Sequence, residues 1–268
     1  MKKWPIAIQV YTVDKEATAD FEGTVRALKA MGYDGVELCD TYGGTAVELR
    51  KICDEVGLAV VGAHVNLNEI EDDAILADYV AAGVKYIVIP HLKAPKTEEE
   101  LVATIARIRA AGEKVKAAGA QLLYHNHDFE FNKINDKYIL EHYYDEIPAD
   151  LLQTELDVCW VNVGGEEPAS YIGKYSGRSP VVHLKDFTGE KSDDMYELIG
   201  IDKKAPTRPS GFEFRPVGMG LQNFPAILEA AKAAGSEWVV VEQDQATMGL
   251  TPLESIKKSI DYLKSFEL

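Results

Sequence analysis

The sequence predicts an α/β fold, a single (β/α)8 TIM barrel, and three observations carry that prediction. A unit made of a helical stretch, a Gly-containing turn and a short β-branched run ending in polar residues recurs along the chain, at a period of roughly 25 to 35 residues that suits a barrel repeat. The β-branched runs are continuously apolar instead of alternating, as in parallel strands covered on both faces. The first run ends in Gln9-Val10-Tyr11-Thr12 with neither GxGxxG nor GxxxxGK after it, so the phosphate loop of the open nucleotide-binding sheets is missing.

Taken in order, the first strand spans 5 to 12 and follows Met1-Lys2-Lys3-Trp4-Pro5, which lacks the small-residue cleavage site of an export signal. The stripe Phe21, Val25, Leu28, Met31 marks an amphipathic helix, and Met31-Gly32-Tyr33 turns it into a second strand at 35 to 39. Val56-Gly57-Leu58 precedes the third strand, 59 to 65, and Ala82-Gly83-Val84 the fourth, 86 to 91. A helix carrying Leu101, Ile105, Ile108 and Val115 leads through Ala118-Gly119-Ala120 to the fifth, 121 to 127. The sixth and seventh fall at 151 to 158 and 181 to 187, and Ala234-Gly235-Ser236 introduces the eighth, 238 to 244. Gly just past a helix can take the left-handed conformation that closes it, so each of these glycines reads as a helix stop. Segment 188 to 221, rich in Gly, Pro and charge, reads as a loop insertion over the C-terminal mouth before a helix near 222 to 234, and residues 1–268 form one domain.

The formal charge of −16 and pI of about 4.8 oppose a phosphate backbone or an anionic membrane surface. No apolar run approaches the ~20 residues of a membrane span. Cys39, Cys53 and Cys159 are odd in number and lack CxxC spacing, as expected of structural thiols in the cytoplasm. Partners are therefore expected to be small molecules, with a homo-oligomer compatible with the sequence.

Barrel enzymes of this kind work at the C-terminal ends of their strands. Of six histidines, His64, His91, His125, His127 and His183 fall there, leaving His142 on a helix; their concentration points to a shared metal or proton-transfer site. Gln153, Glu155 and Asp157 alternate onto one face of the sixth strand, Glu37 ends the second, and Glu242 follows four apolar residues on the eighth. Carboxylates inside a barrel must be paired, hydrogen-bonded or metal-bound. Asp, His and Glu from successive strands make a nitrogen and oxygen donor set suited to Mn²⁺, Mg²⁺, Co²⁺ or Zn²⁺. The alternative is a buried salt-bridge network with Lys185, whose expected partner is Glu155.

The ordered series Gly35-Val36-Glu37-Leu38, His125-Asn126-His127, Glu155-Leu156-Asp157-Val158-Cys159-Trp160, His183-Leu184-Lys185-Asp186 and Val241-Glu242-Gln243-Asp244 resembles the sugar phosphate isomerase/epimerase family of xylose isomerase-like barrels. The resemblance implies one divalent metal held by Asp157, His183 and Glu242, with His125 standing where the family has its first Glu. Trp160 stands where the family carries a His after the strand-six Asp. Many members pair two glutamates as opposed bases, so the His125 departure bears on a symmetric two-base epimerisation.

The expected activity is that of a metal-dependent isomerase or epimerase of carbohydrate metabolism, moving a proton next to the carbonyl of a sugar or keto-sugar. The alternatives are a lyase or hydrolase on a keto-sugar derivative, or a non-catalytic sugar-binding barrel. Glu242 is the expected base, with His125 or His127 as partner acid and Lys185 placed to stabilise an enediolate oxygen. His64, His91, Trp160, Arg215 and Glu37 are expected to contact substrate, with Trp4, Tyr11 and Phe187 adding an aromatic wall. Lys203, Lys204, Arg208 and Arg215 bring cations to segment 188 to 221, and Gly218 and Gly220 offer a hinge should it fold over the site as a lid.

Overall fold

The computed structural model describes residues 4–191 and 211–266. Eight parallel strands close into a cylinder: β1 (Ile6–Gln9), β2 (Gly35–Leu38), β3 (Ala59–His64), β4 (Tyr86–Ile89), β5 (Gln121–His125), β6 (Gln153–Asp157), β7 (Val181–Leu184) and β8 (Trp238–Val241). Each pairs with its neighbours in chain order, and β1 pairs with both β2 and β8, which closes the ring. No helix among the described residues is long and apolar enough to cross a membrane.

The alternation of side chains explains why the strands read as continuous apolar runs. Val239 and Val241 of β8, or Val182 and Leu184 of β7, pack outward against the helices in the large core. Between them Val240 and Val181 turn inward, joining Ala7, Val61, Tyr86, Val88 and Leu123 in a separate plug inside the barrel. Above this plug the inward positions become polar: Gln9, Glu37, Glu155, Asp157 and His183 are all fully buried.

The helices follow their sequence signals. Phe21–Met31 buries Phe21, Val25 and Leu28 and ends at Gly32 in the left-handed region, φ 98°. Glu98–Ala117 buries Leu101, Ile105, Ile108 and Val115. Thr45 and Thr251 cap their helices, each with a reciprocal Glu three residues on. His142 lies on the helix Ile139–Glu146.

Several expected boundaries shift. A 3-10 turn, Val10–Val13, replaces the end of the first strand. The fourth, fifth and eighth strands stop before His91, His127 and Glu242, which sit on the loops above the rim. The seventh run breaks at Lys185: Val181–Leu184 belongs to the barrel, whereas Asp186–Thr188 leaves it and pairs antiparallel with Glu213–Arg215. The segment 188 to 221 thus contains a strand; its residues 192–210, with Lys203, Lys204 and Arg208, lie outside the described residues.

Gly218 and Gly220 are not placed as a free hinge. The buried Asp186 carboxylate accepts the backbone N–H groups of Phe187 (2.9 Å), Gly218 (3.0 Å), Gly220 (2.8 Å) and Gln222 (3.2 Å). Gln222, fixed in this way, donates to the Val158 carbonyl at 2.7 Å. A Cβ at Gly220 would meet Asp186 Oδ1 at 2.3 Å, so the close approach requires glycine.

Candidate active site

The polar side chains are stacked in two tiers along the barrel axis. In the lower tier Glu37 Oε2 accepts from Gln9 Nε2 (2.9 Å) and pairs with His183 Nε2 (2.7 Å). Glu155 Oε1 lies 2.7 Å from His64 Nε2, 3.0 Å from His183 Nε2 and 3.1 Å from His125 Nδ1. Burial, and secondly the neighbouring Glu155, push the Glu37 carboxyl up to about 7. Burial also disfavours charge on His183, but Glu155, Glu37 and Glu242 overcome it and hold the imidazole well above its usual range.

The upper tier gathers His125, Asp157, His183, Lys185, Glu242 and Asp244. His183 presents its other nitrogen, Nδ1, to Glu242 Oε2 at 2.8 Å. His125 Nε2 is 3.7 Å from Asp157 Oδ2 and 3.9 Å from Glu242 Oε2. Lys185 Nζ, 1% exposed, sits 3.0 Å from Asp157 Oδ2, 3.1 Å from Glu242 Oε2 and 3.0 Å from Asp244 Oδ1. The expected Lys185–Glu155 pair is therefore corrected: Lys185 serves the upper tier, and Glu155 lies below it among imidazoles. Burial opposes the Lys185 charge and the three carboxylates restore it, keeping the ammonium well above its ordinary range. Burial would raise Glu242, yet Lys185 and His183 hold it well below the usual carboxylate range.

Local structure fixes these groups. Asp157 is also the N-cap of the helix Val158–Val163, accepting from Cys159 N (2.8 Å) and Trp160 N (3.2 Å) through Oδ1, which leaves Oδ2 for the site. The Asn126 amide accepts the Asp157 N–H at 3.0 Å and reaches its carbonyl at 3.4 Å, splicing the loop after β5 onto β6. Glu130 accepts from Tyr124 Oη (2.6 Å) and from the His127 backbone N–H (2.7 Å), seating His127. Burial raises Glu130 to about 8.

A cavity of ≈ 170 Å³ opens over the upper tier. Its walls are His64, Asn66, Pro90 and His91 on the β3–β4 side, His125 and His127 above β5, Lys185, Glu242 and Asp244 from β7 and β8, and Tyr11 and Cys39 from the first two units. In an eight-stranded ring β8 stands opposite β4, so the ammonium–carboxylate group faces the imidazole wall. Burial lowers His91 and pushes His125 down to about 3, and His127 is likewise held well below its ordinary value by burial and by His125.

Of the residues expected to contact substrate, His64 and His91 line the cavity and Glu37, Trp160 and Arg215 do not. Glu37 is in the lower tier, drawn down by Gln9 and His183. Trp160 is fully buried with Phe187, Phe212 and Phe214, and its ring lies 5.4 Å from Lys185 Nζ. Arg215 Nη1 is bound to Glu213 Oε2 and Thr247 Oγ1, at 2.5 and 3.0 Å. Two polar side chains of the lining, Asn66 and Asp244, were given no role at the site from the sequence, although each stands two positions after a recognised residue, His64 and Glu242; period-two alternation was the signal that could have found them.

The donor atoms of His125, Asp157, His183 and Glu242 all lie within 4.8 Å of one another. Donors bonded to one ion at about 2.0 to 2.4 Å sit roughly 3 to 4 Å apart, so this mixed, buried set fits a divalent cation, which would share Asp157 Oδ2 and Glu242 Oε2 with Lys185.

A family model described as xylose isomerase-like TIM barrel matches residues 25–266. The inosose dehydratase of Lacticaseibacillus casei is 22% identical over 283 residues, spanning 93% of this chain and 90% of its own. A sugar phosphate isomerase/epimerase structure from Parabacteroides distasonis ATCC 8503 has a TM-score of 0.78 at 22% identity, covering 99% of this chain and 95% of that one. The IOLI protein, solved with a binding zinc atom, has a TM-score of 0.71 at 14% identity, with 97% of both chains covered.

Proposed function

The chain belongs to the xylose isomerase-like TIM-barrel family, and from the site it builds on that barrel we propose that it is a divalent-metal-dependent dehydratase of a sugar-derived ketone. Asp157, His183, Glu242 and His125 are the residues that would hold the cation. Bound there, a divalent cation would polarise the substrate carbonyl and acidify the neighbouring carbon.

The observation that carries this reading is the one-sidedness of the cavity. Glu242 and Asp244, with Lys185 between them, form the charged proton-transfer group among the described lining residues. On the facing wall His91, His125 and His127 have lowered pKa values, and His64, which Glu37 and Glu155 raise against the effect of burial, is turned down to Glu155 at 2.7 Å. An imidazole that is neutral at pH 7 is a poor general acid, so the donor role passes from His125 or His127 to Lys185. Glu242, ionised by its neighbours, takes the proton from carbon. The C–H electron pair forms the new C=C bond, the adjacent C–O bond breaks with its pair, and Lys185 protonates the departing hydroxyl to water. At 3.1 Å Glu242 then returns its proton to the Lys185 amine, which closes the cycle without an external acid.

The relatives named inosose dehydratase support this chemistry, and the relative solved with zinc supports the cation. The isomerase or epimerase reading stays as the second, because a single carboxylate can also carry a proton between adjacent carbons, and the Parabacteroides relative bears that name. Turnover of inososes, ketoses and keto-sugars with Mn²⁺ or with chelator separates the two. Metal-dependent loss of one water from a ketone is expected; conversion without any loss of water would replace dehydration by isomerisation.

A further inference from the structure

At ≈ 170 Å³ the mouth cavity is smaller than the roughly 300–1,000 Å³ of most small-molecule sites, and it gives room for little more than one ring. It does not end at the catalytic groups. On the β3–β4 side Asn66 and His91 also wall a second hollow that continues past Leu92 and Lys93. That hollow shares Leu67, Leu92 and Arg107 with a groove of ≈ 320 Å³ that runs out to the long helix Glu98–Ala117.

Local structure builds the groove from apolar side chains. His91-Leu92-Lys93-Ala94-Pro95 leaves β4 without regular structure, and Leu67 opens the short helix Leu67–Glu71 after β3. Leu67, Leu92, Ala94, Pro95 and Ala103 form the wall; Leu67 is buried in the core, whereas Leu92 and Ala94 are only partly covered. The charged groups at the edge leave no net field for an ion. Arg107 is held by Glu71 at 2.9 and 3.0 Å and by Asn68 at 2.8 Å, which also ties the long helix to the short one. Lys93 and Glu100, both exposed, are of opposite sign.

We propose that this groove is a substrate subsite for an uncharged apolar substituent, an aryl or alkyl group carried by the ketone on the edge that faces His91. The preferred substrate is then a substituted sugar derivative larger than an inosose, which occupies the mouth alone. The inference rests on the reading of the mouth as the place of a sugar-derived ketone, and it leaves the departing hydroxyl unchanged. Continuity with the mouth cavity through Asn66 and His91 assigns the groove to the substrate rather than to a second protein.

Binding tests the subsite apart from turnover. Calorimetry on Mn²⁺-loaded protein compares methyl β-D-glucopyranoside with phenyl β-D-glucopyranoside, neither of which carries the ketone needed for reaction. Burial of the phenyl ring is expected to tighten binding by at least about tenfold. Ala103 is exposed on the long helix and lines the groove, so Ala103→Trp fills it without touching the mouth; the variant is expected to lose the phenyl gain and to keep the methyl glucoside affinity. Equal affinities in wild type, or a phenyl gain that survives Ala103→Trp, would overturn the subsite and leave the reading of the mouth standing. A 4-carboxyphenyl glucoside that bound more tightly than the phenyl one would move recognition to Lys93 and overturn the apolar assignment. Failure of both uncharged glucosides to bind would overturn the sugar reading of the mouth and the subsite with it. The wild-type comparison decides even if the variant fails to fold.

Discussion

Replacing Lys185 with Met removes the one ammonium that Asp157, Glu242 and Asp244 share, at 3.0, 3.1 and 3.0 Å. Asp157 is fully buried and Glu242 is 5% exposed, so water cannot replace the lost partner. Breaking a buried ion pair from one side costs about 3–5 kcal/mol, which for a chain of this size lowers Tm by roughly 6–20 °C. Met fills most of the volume of the lysine stem, so the loss is one of charge rather than of packing. The cation proposed at the mouth draws on the same two oxygens, and it should therefore rescue the variant more than it stabilises wild type. Urea unfolding of both proteins, in chelator and in excess Mn²⁺, measures the two effects separately. A Lys185→Met protein within about 1 kcal/mol of wild type in chelator would refute the charge argument; an Mn²⁺ response no larger than wild type's would refute the shared oxygens.

Asp186→Asn keeps one acceptor oxygen and turns an N–H₂ toward two of the four backbone donors now bound; a loss of about 2–4 kcal/mol is expected in urea unfolding. Glu130 is raised from 4.5 to about 8 by burial, so the folded state binds its proton more tightly than the unfolded one. Its contribution is then full below about 4.5 and lost as pH rises through about 8. Unfolding free energies at several pH values should fall over that window by up to about 5 kcal/mol in wild type, and Glu130→Gln should flatten the slope. His125→Gln removes a nitrogen donor without removing a titrating base, because His125 is held near 3. Calorimetry should show Mn²⁺ binding weakened by at least roughly tenfold, and the pH–rate profile of wild type should show no limb belonging to His125.

The strands were legible because burial on both faces writes them as apolar runs, as in Trp238 to Val241. Their ends were less legible: polar residues such as His91 and His127 continue the pattern into the rim loops, where backbone pairing has already stopped. Asp157 could be placed at the mouth by alternation, and His183 and Glu242 by their positions at the ends of apolar runs. Which carboxylate Lys185 meets could not, because four strands converge there, and the choice depends on the break after Leu184 that sends Asp186 out of the barrel. Trp160 illustrates the same limit. Its position three residues after Asp157 is plain in the sequence, but the helix starting at Val158 turns its ring into the aromatic cluster instead of the cavity. The Asp186 clamp leaves no periodic trace, since its four donors are backbone groups from 187 and from 218 to 222.

Isotope tracing in D₂O tests the proposed reaction most directly. Metal-replete enzyme is incubated with an inosose, and both product and recovered substrate are analysed by mass spectrometry, with His183→Ala and chelator-treated protein as controls. The account predicts a product lighter by one water, formed only with metal and only by the protein that retains His183. Recovered substrate or isomer carrying deuterium with no loss of water would contradict dehydration, and product formed equally well by His183→Ala in chelator would contradict the metal-centred site.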